Sequence, residues 1–358
     1  GGVLLKRYSS FAKYALETNG SSEALPLPLV VPIGNRALVS IPILTIIGVQ
    51  KGGTTNLRSN LLTHPSVSGM HNEVHFFDRH PEKYPKLGQW PGDGLEKDLA
   101  PGVVGRVLSE YAKACLEEVK KNDGPALGNG GVIVESSPRY ILSPLAPYRM
   151  KMVRPQAKLV VVLRDPTDRY FSQLRMLMCK KEADPGFASP EEMISTFFHP
   201  PGGAKGYLER GAASYTPYTA LCRGENATSA DLWQCYKSME GHNPLHRGLY
   251  ADQLERWFRV FDRSQIMVVD SEEMFAEFTG TVSGVATFAG LPPHDFEYNP
   301  KHEFRGVCTK RKHRHDPDFF AEGGRYEVML EEGDLIREWY RPHNERLFAL
   351  LGRDMGWK

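Results

Sequence analysis

The sequence has no long hydrophobic run. Its longest apolar stretch, residues 41–49, is interrupted by Pro42 and Thr45. It falls far short of the roughly 20 apolar residues that a bilayer-spanning helix needs. There is no charge excess either: 44 Lys and Arg face 43 Asp and Glu, for a formal net charge of +1. A uniformly basic surface is therefore excluded, and any polyanionic ligand must be gripped by a local patch. Cysteine is sparse, at five residues in the 358. Cys115, Cys179, Cys222, Cys235 and Cys308 form no CxxC pair, and no histidine lies at zinc-finger spacing, which argues against a structural metal. Internal repeats and low-complexity tracts are also missing. What is present, 41% hydrophobic and 24% charged residues, is a globular composition with room for one large domain or two ordinary ones.

Residues 1–40 show little periodicity and carry Pro26, Pro28 and Pro32 near their end, so they read as an N-terminal arm. The chain opens on Gly1-Gly2 rather than Met, which leaves room for a signal or membrane anchor upstream. Cys222 and Cys235 flank a polar loop that a disulfide would staple. That loop holds the glycosylation pattern Asn226-Ala227-Thr228, and Asn19-Gly20-Ser21 is a second. Together these favour a secretory compartment. The competing reading is a cytosolic protein with five reduced thiols.

Continuous apolar runs at Ile43–Val49, Val132–Val134, Lys158–Leu163 and Ile266–Val269 suit strands buried on both faces of a parallel sheet. Between them, residues 55–63, 103–120, 169–178 and 250–261 carry apolar positions at helical spacing. A last helix, 334–351, is expected to break at Pro342. Alternation of strand and helix predicts an α/β fold: a single domain over residues 41–358, with a central parallel β-sheet flanked by helices. Residues 179–245, rich in Gly, Pro and polar residues, read as an insertion on the acceptor side. Phe76, Phe77, Trp257 and Trp339 are expected in the core.

The sharpest feature is Gly48-Val49-Gln50-Lys51-Gly52-Gly53-Thr54-Thr55, which follows a buried strand and opens a helix. Glycines let backbone N–H groups approach an anion, the helix N-terminus adds partial positive charge, Lys51 adds a full one, and the threonines add hydroxyls. The order differs from the GxxxxGK[ST] loop, because Lys51 precedes the glycine pair. This disfavours a kinase of that class. At the end of a later strand, Arg164 and, two helical turns on, Ser172 are placed to hold a second phosphate at the carboxyl edge of the sheet. For these pieces alone, a glycine-rich turn with a solvated Lys51 and an Arg164–Asp168 surface pair are the competing readings.

Taken together, GVQKGGTT, the stretch His64–Val67, NEVHFFD at 72–78, VVVLRDPTDRYFS at 160–172, Arg247-Gly248-Leu249-Tyr250 and the closing GRDMGW resemble the sulfotransferases that use 3′-phosphoadenosine 5′-phosphosulfate (PAPS). The likeness points toward the Golgi carbohydrate enzymes of the heparan sulfate and chondroitin 6-O types. It implies a P-loop-like sulfotransferase fold, PAPS as sulfuryl donor and 3′-phosphoadenosine 5′-phosphate (PAP) as product, with no metal and no nucleic-acid partner. By position, the resemblance assigns Lys51, Gly52, Gly53, Thr54, Thr55 and Asn56 to the 5′-phosphosulfate loop. It assigns Arg164 and Ser172 to the 3′-phosphate, and Lys312 and Arg314 to a late basic loop over the nucleotide. Glu73 matches the family's general base on the acceptor.

Three departures from the family pattern stand out, one being that the relatives often pair two late cysteines whereas Cys308 has no nearby partner in the sequence. Lys312-His313-Arg314 stands where the family has Lys-Gly-Arg, and Ser136, in Glu135-Ser136-Ser137-Pro138, stands where the heparan sulfate enzymes carry a lysine. The serine argues against carrying over heparan sulfate specificity.

His71 and His75 lie within two residues of Glu73, and in an extended segment all three side chains would share one side. His75 is therefore a second candidate for the base. The acceptor is expected to be a carbohydrate hydroxyl. A small hydroxyl or amine compound is the alternative, and a non-catalytic nucleotide-binding protein is a third reading that retention of Glu73 disfavours. The phosphates would claim most of the placed positive charge, which leaves neutral or lightly charged acceptors in play.

Overall fold

A computed structural model describes residues 30–33, 37–40, 43–69, 73–78, 101–120, 132–181, 208–209, 244–297 and 333–357. Its centre is a five-stranded sheet made of β3 (Leu44–Gly48), β4 (Val67–Gly69), β5 (Val132–Ser136), β6 (Lys158–Leu163) and β7 (Ile266–Asp270). The order is β4-β5-β3-β6-β7 and every pairing is parallel.

The continuous apolar runs follow from burial on both faces. Along β6, Leu159, Val161 and Leu163 enter one core cluster while Val160 and Val162 enter the other. In β3, Ile47 joins the first while Leu44 and Ile46 join the second. Each such side chain contributes about 1.5–3 kcal/mol on burial, so neither face tolerates a polar alternation.

The helices that cover the sheet are α1 (Thr54–Leu61), α2 (Pro101–Lys120), α3 (Ala146–Val153), α4 (Pro166–Lys181), α5 (Tyr250–Val260), α6 (Ser271–Ala276), α7 (Phe278–Phe288) and α8 (Gly333–Leu351). Helix α1 sends Leu57 and Leu61 to one face, while α5 sends Leu254 and Trp257 to the other. Phe76 and Phe77 are core residues, packed at a tilt on Tyr111 at 5.0 and 4.8 Å between ring centroids.

Four expectations change. Within the arm, β1 (Val30–Ile33) and β2 (Ala37–Ser40) pair as an antiparallel hairpin. The short edge strand β4 and helices α3, α6 and α7 were not anticipated; β4 is three residues long, too short to show a period. Helix α8 runs through Pro342 without ending. Pro342 is exposed, while Ile336, Tyr340, Asn344 and Leu347 on the opposite row are buried, so packing of that row offsets the missing N–H. Trp339 is only half-buried, against Tyr340 and His343, whereas Trp257 is fully buried as expected.

In this strand order, the crossover after β3 runs toward β4 and β5 and the one after β6 runs toward β7. The β3–β6 pair is thus the point where the winding reverses, and in sheets of this kind the ligand crevice lies there, beyond the carboxyl ends of the strands.

Candidate active site

The phosphate-type loop springs from the end of β3, at that crevice. It is strapped to the neighbouring strand, because the Val49 N–H donates to the Val162 carbonyl at 3.0 Å and the Gly52 N–H donates to the Val49 carbonyl at 3.0 Å. A Cβ on Gly52 would lie 2.5 Å from the Val162 carbonyl oxygen, so no side chain fits there. Gly53 takes the helix N-cap with φ of 97°, a conformation that glycine adopts without penalty.

No side chain caps α1 and its first turn carries no acid, so the positive end of the helix is not neutralised locally. Thr54 and Asn56 are buried and Thr55 is exposed. The Gln50 side-chain oxygen accepts from Arg247 at 2.7 Å, which ties the loop to the turn that precedes α5. A pocket of backbone, an uncapped helix start and Lys51 fit an anionic group.

Arg164 leaves the end of β6. Its guanidinium is 3.6 Å from Asp168, and its carbonyl accepts from the Tyr250 hydroxyl at 2.9 Å. Asp165 caps α4 by accepting from the N–H groups of Thr167 at 2.7 Å and Asp168 at 3.2 Å. Ser172 is half-buried one turn beyond Asp168. The Glu272 carboxyl is pushed up by burial first and then by Asp270, Asp168 and Asp165, with Arg164 acting against them. Arg164 therefore sits in an acidic neighbourhood and is already engaged by Asp168.

The third element is the segment Glu73–Asp78. It is not extended throughout: His75 has φ of 54°. Lys51, at 74°, and His75 are the non-glycine residues with positive φ among those described, and both belong to this site. Such backbone costs on the order of 1–3 kcal/mol and persists where the surroundings hold it.

His75 is clamped between two carboxylates. Its Nε2 is 2.7 Å from Glu73 and its Nδ1 is 2.9 Å from Asp78, which is almost fully buried. Burial opposes the charge on this imidazole, but the hydrogen bonds to Asp78 and Glu73 outweigh it and raise the pKa to about 9. At neutral pH His75 is an imidazolium, with no lone pair to accept a proton. Glu73, 37% exposed, keeps access to solvent. Arg58 on α1 lies within electrostatic reach of Glu73, and burial lowers its pKa while Glu73 opposes that.

The structure thus groups Lys51 and its loop with Arg164 at the crevice mouth, and Glu73 with His75 in a separate segment. Lys312 and Arg314 lie outside the described residues, as do His71, Cys222, Cys235, Cys308, both glycosylation triplets and most of 179–245. Among the described residues Cys115 is a free, buried thiol.

Asp78 and the hydroxyls of Ser137 and Tyr140 went unnoticed as site residues. Asp78 had a local signal, three residues after His75. The hydroxyls had none, since Ser137 lies more than sixty residues away in sequence yet accepts from the N–H groups of Val74 at 3.1 Å and His75 at 3.2 Å.

Comparison with known proteins gives the relatives of the chain as a whole. The family model described as "Sulfotransferase domain" matches residues 42–305. Mouse heparan sulfate glucosamine 3-O-sulfotransferase 3A1 is 28% identical over 94% of this chain and 70% of its own length. The human heparan sulfate glucosamine 3-O-sulfotransferase 6 is 27% identical over 92% of this chain and 77% of its own. A solved sulfotransferase from Alicyclobacillus acidocaldarius superposes with a TM-score of 0.47 at 21% identity, covering 88% of this chain and 98% of that one.

Proposed function

The chain belongs to the sulfotransferase domain family, and from that premise we propose that it moves the sulfuryl group of PAPS to a carbohydrate hydroxyl, with Glu73 as general base. The observation that carries the base assignment is the clamp on His75. An imidazolium held between Glu73 and Asp78 cannot take a proton at neutral pH, which leaves the partly exposed Glu73 carboxylate as the group that can. A carbohydrate acceptor is supported by the relatives, whose names identify them as heparan sulfate glucosamine 3-O-sulfotransferases. We place the enzyme in the secretory pathway, on its two glycosylation triplets and on this acceptor class.

The residues at the crevice fit the donor. Gly52, Gly53 and the start of α1 would form the anion cradle, with Lys51 supplying charge and Thr54, Thr55 and Asn56 in the first turn of the helix. Arg164 and Ser172 would take the 3′-phosphate, with Lys312 and Arg314 over the nucleotide. When bound, the donor supplies an activated sulfuryl group whose departure leaves PAP. Lys51 and the loop N–H groups would stabilise the negative charge that grows on the leaving side. Glu73 would accept the acceptor hydroxyl's proton at a carboxylate oxygen as the new O–S bond forms. His75 would hold that carboxylate in place, and Asp78 would hold His75.

Glu73→Gln keeps the shape and removes the base. It is expected to lower kcat by about 10²–10⁴ while PAP binding, followed by calorimetry, is unchanged. A Glu73→Gln enzyme near full rate would falsify the assignment. Acceptor class is read by a PAPS-consumption screen over glycans and small hydroxyl or amine compounds; turnover only on the small compounds overturns the carbohydrate reading.

A further inference from the structure

Behind the Glu73–Asp78 segment lies a carboxylate that the reaction does not use. Glu135, near the end of β5, is wholly buried. Among the described residues it receives three hydroxyls and no ion pair: Tyr111 donates to Oε2, while Tyr140 at 2.6 Å and Ser137 at 3.0 Å both donate to Oε1. Burial raises its pKa, against the pull of those hydrogen bonds. His75 attracts it as well, but the ring nitrogens of His75 are taken by Glu73 and Asp78, and a carboxylate buried without an ion pair is costly and calls for a reason.

The reason is on the far side of two of the hydroxyls. Ser137 Oγ accepts from the backbone N–H groups of Val74 and His75, and the Tyr140 hydroxyl oxygen accepts from the N–H of Phe76 at 2.8 Å. A hydroxyl has one proton to give. With that proton drawn to Glu135, the oxygen's lone pairs are left facing the segment. Three consecutive backbone N–H groups, at residues 74, 75 and 76, are thereby fixed from one carboxylate. These are the residues on either side of the positive-φ turn at His75, immediately after Glu73.

We propose that Glu135, acting through Ser137 and Tyr140, is the positioning residue that sets the backbone of residues 74–76 and so aims Glu73 at the acceptor. Tyr111 is the internal comparison: its hydroxyl donates to the other oxygen of the same carboxylate, while its ring packs on Phe76 and Phe77, a contact that Tyr111→Phe keeps. The role rests on the reading of Glu73 as base, yet its geometry can be measured without turnover.

Ser137→Ala and Tyr140→Phe each remove one tether. Both are expected to lower kcat by about tenfold or more, since small misplacements of a catalytic group carry costs of that size, with KM for PAPS unchanged within about twofold. Ser137→Thr keeps the hydroxyl and should restore most of the rate. Tyr111→Phe should lower the melting temperature about as much as Tyr140→Phe but lower kcat far less. In parallel, the imidazole NMR titration of His75 should move down from about 9 in Ser137→Ala, because its carboxylate clamp is no longer aligned.

If all three truncations lower kcat alike, or lower only the melting temperature, Glu135 serves the core alone and the proposal falls. It falls equally if the His75 titration does not move. Should Glu73→Gln keep its rate while the His75 titration still moves in Ser137→Ala, the base reading fails and the tether itself stands.

Discussion

The phosphate-type loop and the Glu73–Asp78 segment are both short and irregular, and each carries a non-glycine residue at positive φ. They are held by different groups. The loop is shaped by its own residues and the adjoining strand: Gly52 because the Val162 carbonyl leaves no room for a Cβ, Gly53 because the helix starts from φ of 97°, and Val49 through its bond to Val162. The segment owes its shape to residues more than sixty positions away, at the end of β5 and in the turn that follows it. Both sides of the crevice thus depend on residues distant in the chain, the donor loop through backbone packed and strapped against Val162 and the acceptor segment through buried hydroxyls. Changes in the loop should act on donor charge, whereas changes around β5 should act on aim.

The largest expected effect sharpens the loop half of that contrast. Lys51→Ala should cut kcat/KM by about 10³, or ~4 kcal/mol, the scale for removing one preorganised charge-stabilising group. The check is transfer of radiolabelled sulfate from PAPS, with circular dichroism to confirm folding. Loss of less than about tenfold would assign the charge stabilisation to the loop N–H groups instead.

The segment half is tested by pH. The folded pKa of His75, about 9, lies above the ~6.5 of an unfolded chain. Its contribution to stability is therefore complete below about 6.5 and is lost as pH rises through about 9. Wild type should exceed His75→Asn in melting temperature most at or below pH ~6.5, and the gap should narrow steadily toward pH 9. A gap independent of pH would mean that His75 holds the segment as a neutral ring. Because the clamp also orients Glu73, kcat is expected to fall over the same alkaline limb.

This contrast also explains what could be read from the chain. Strands β3, β5, β6 and β7 were legible because burial on both faces forces continuous apolar runs, and the loop was legible because its glycines and Lys51 are contiguous. The edge strand β4 was too short to show a period, and α8 passes Pro342 because a buried row opposite the proline compensates for it. Glu73 could be singled out from its motif. The motif also puts Glu73 ahead of His75 as base, but the clamp on His75 could not be read, since it depends on Asp78 being buried beside the imidazole. Nor could the tethers, because Ser137 and Tyr140 are ordinary hydroxyl residues whose partners are backbone groups with no sequence signature.

Arg164 is the place where the loop-and-segment contrast is weakest, and it supplies the smallest effect. Its guanidinium faces Asp168 at 3.6 Å, with both side chains partly exposed, and Asp165, Asp270 and Glu272 lie nearby. A 3′-phosphate arriving there must compete with a carboxylate for the same cation. Partly exposed pairs of this kind are worth about 0.2–1 kcal/mol. Asp168→Asn should therefore tighten PAP binding, by up to about fivefold, since 1 kcal/mol corresponds to that factor. Calorimetric titration with PAP reads it directly. Weaker binding in Asp168→Asn would reverse the relation and make Asp168 a buttress that aims Arg164, which would put the donor side under the same kind of control as the segment around Glu73.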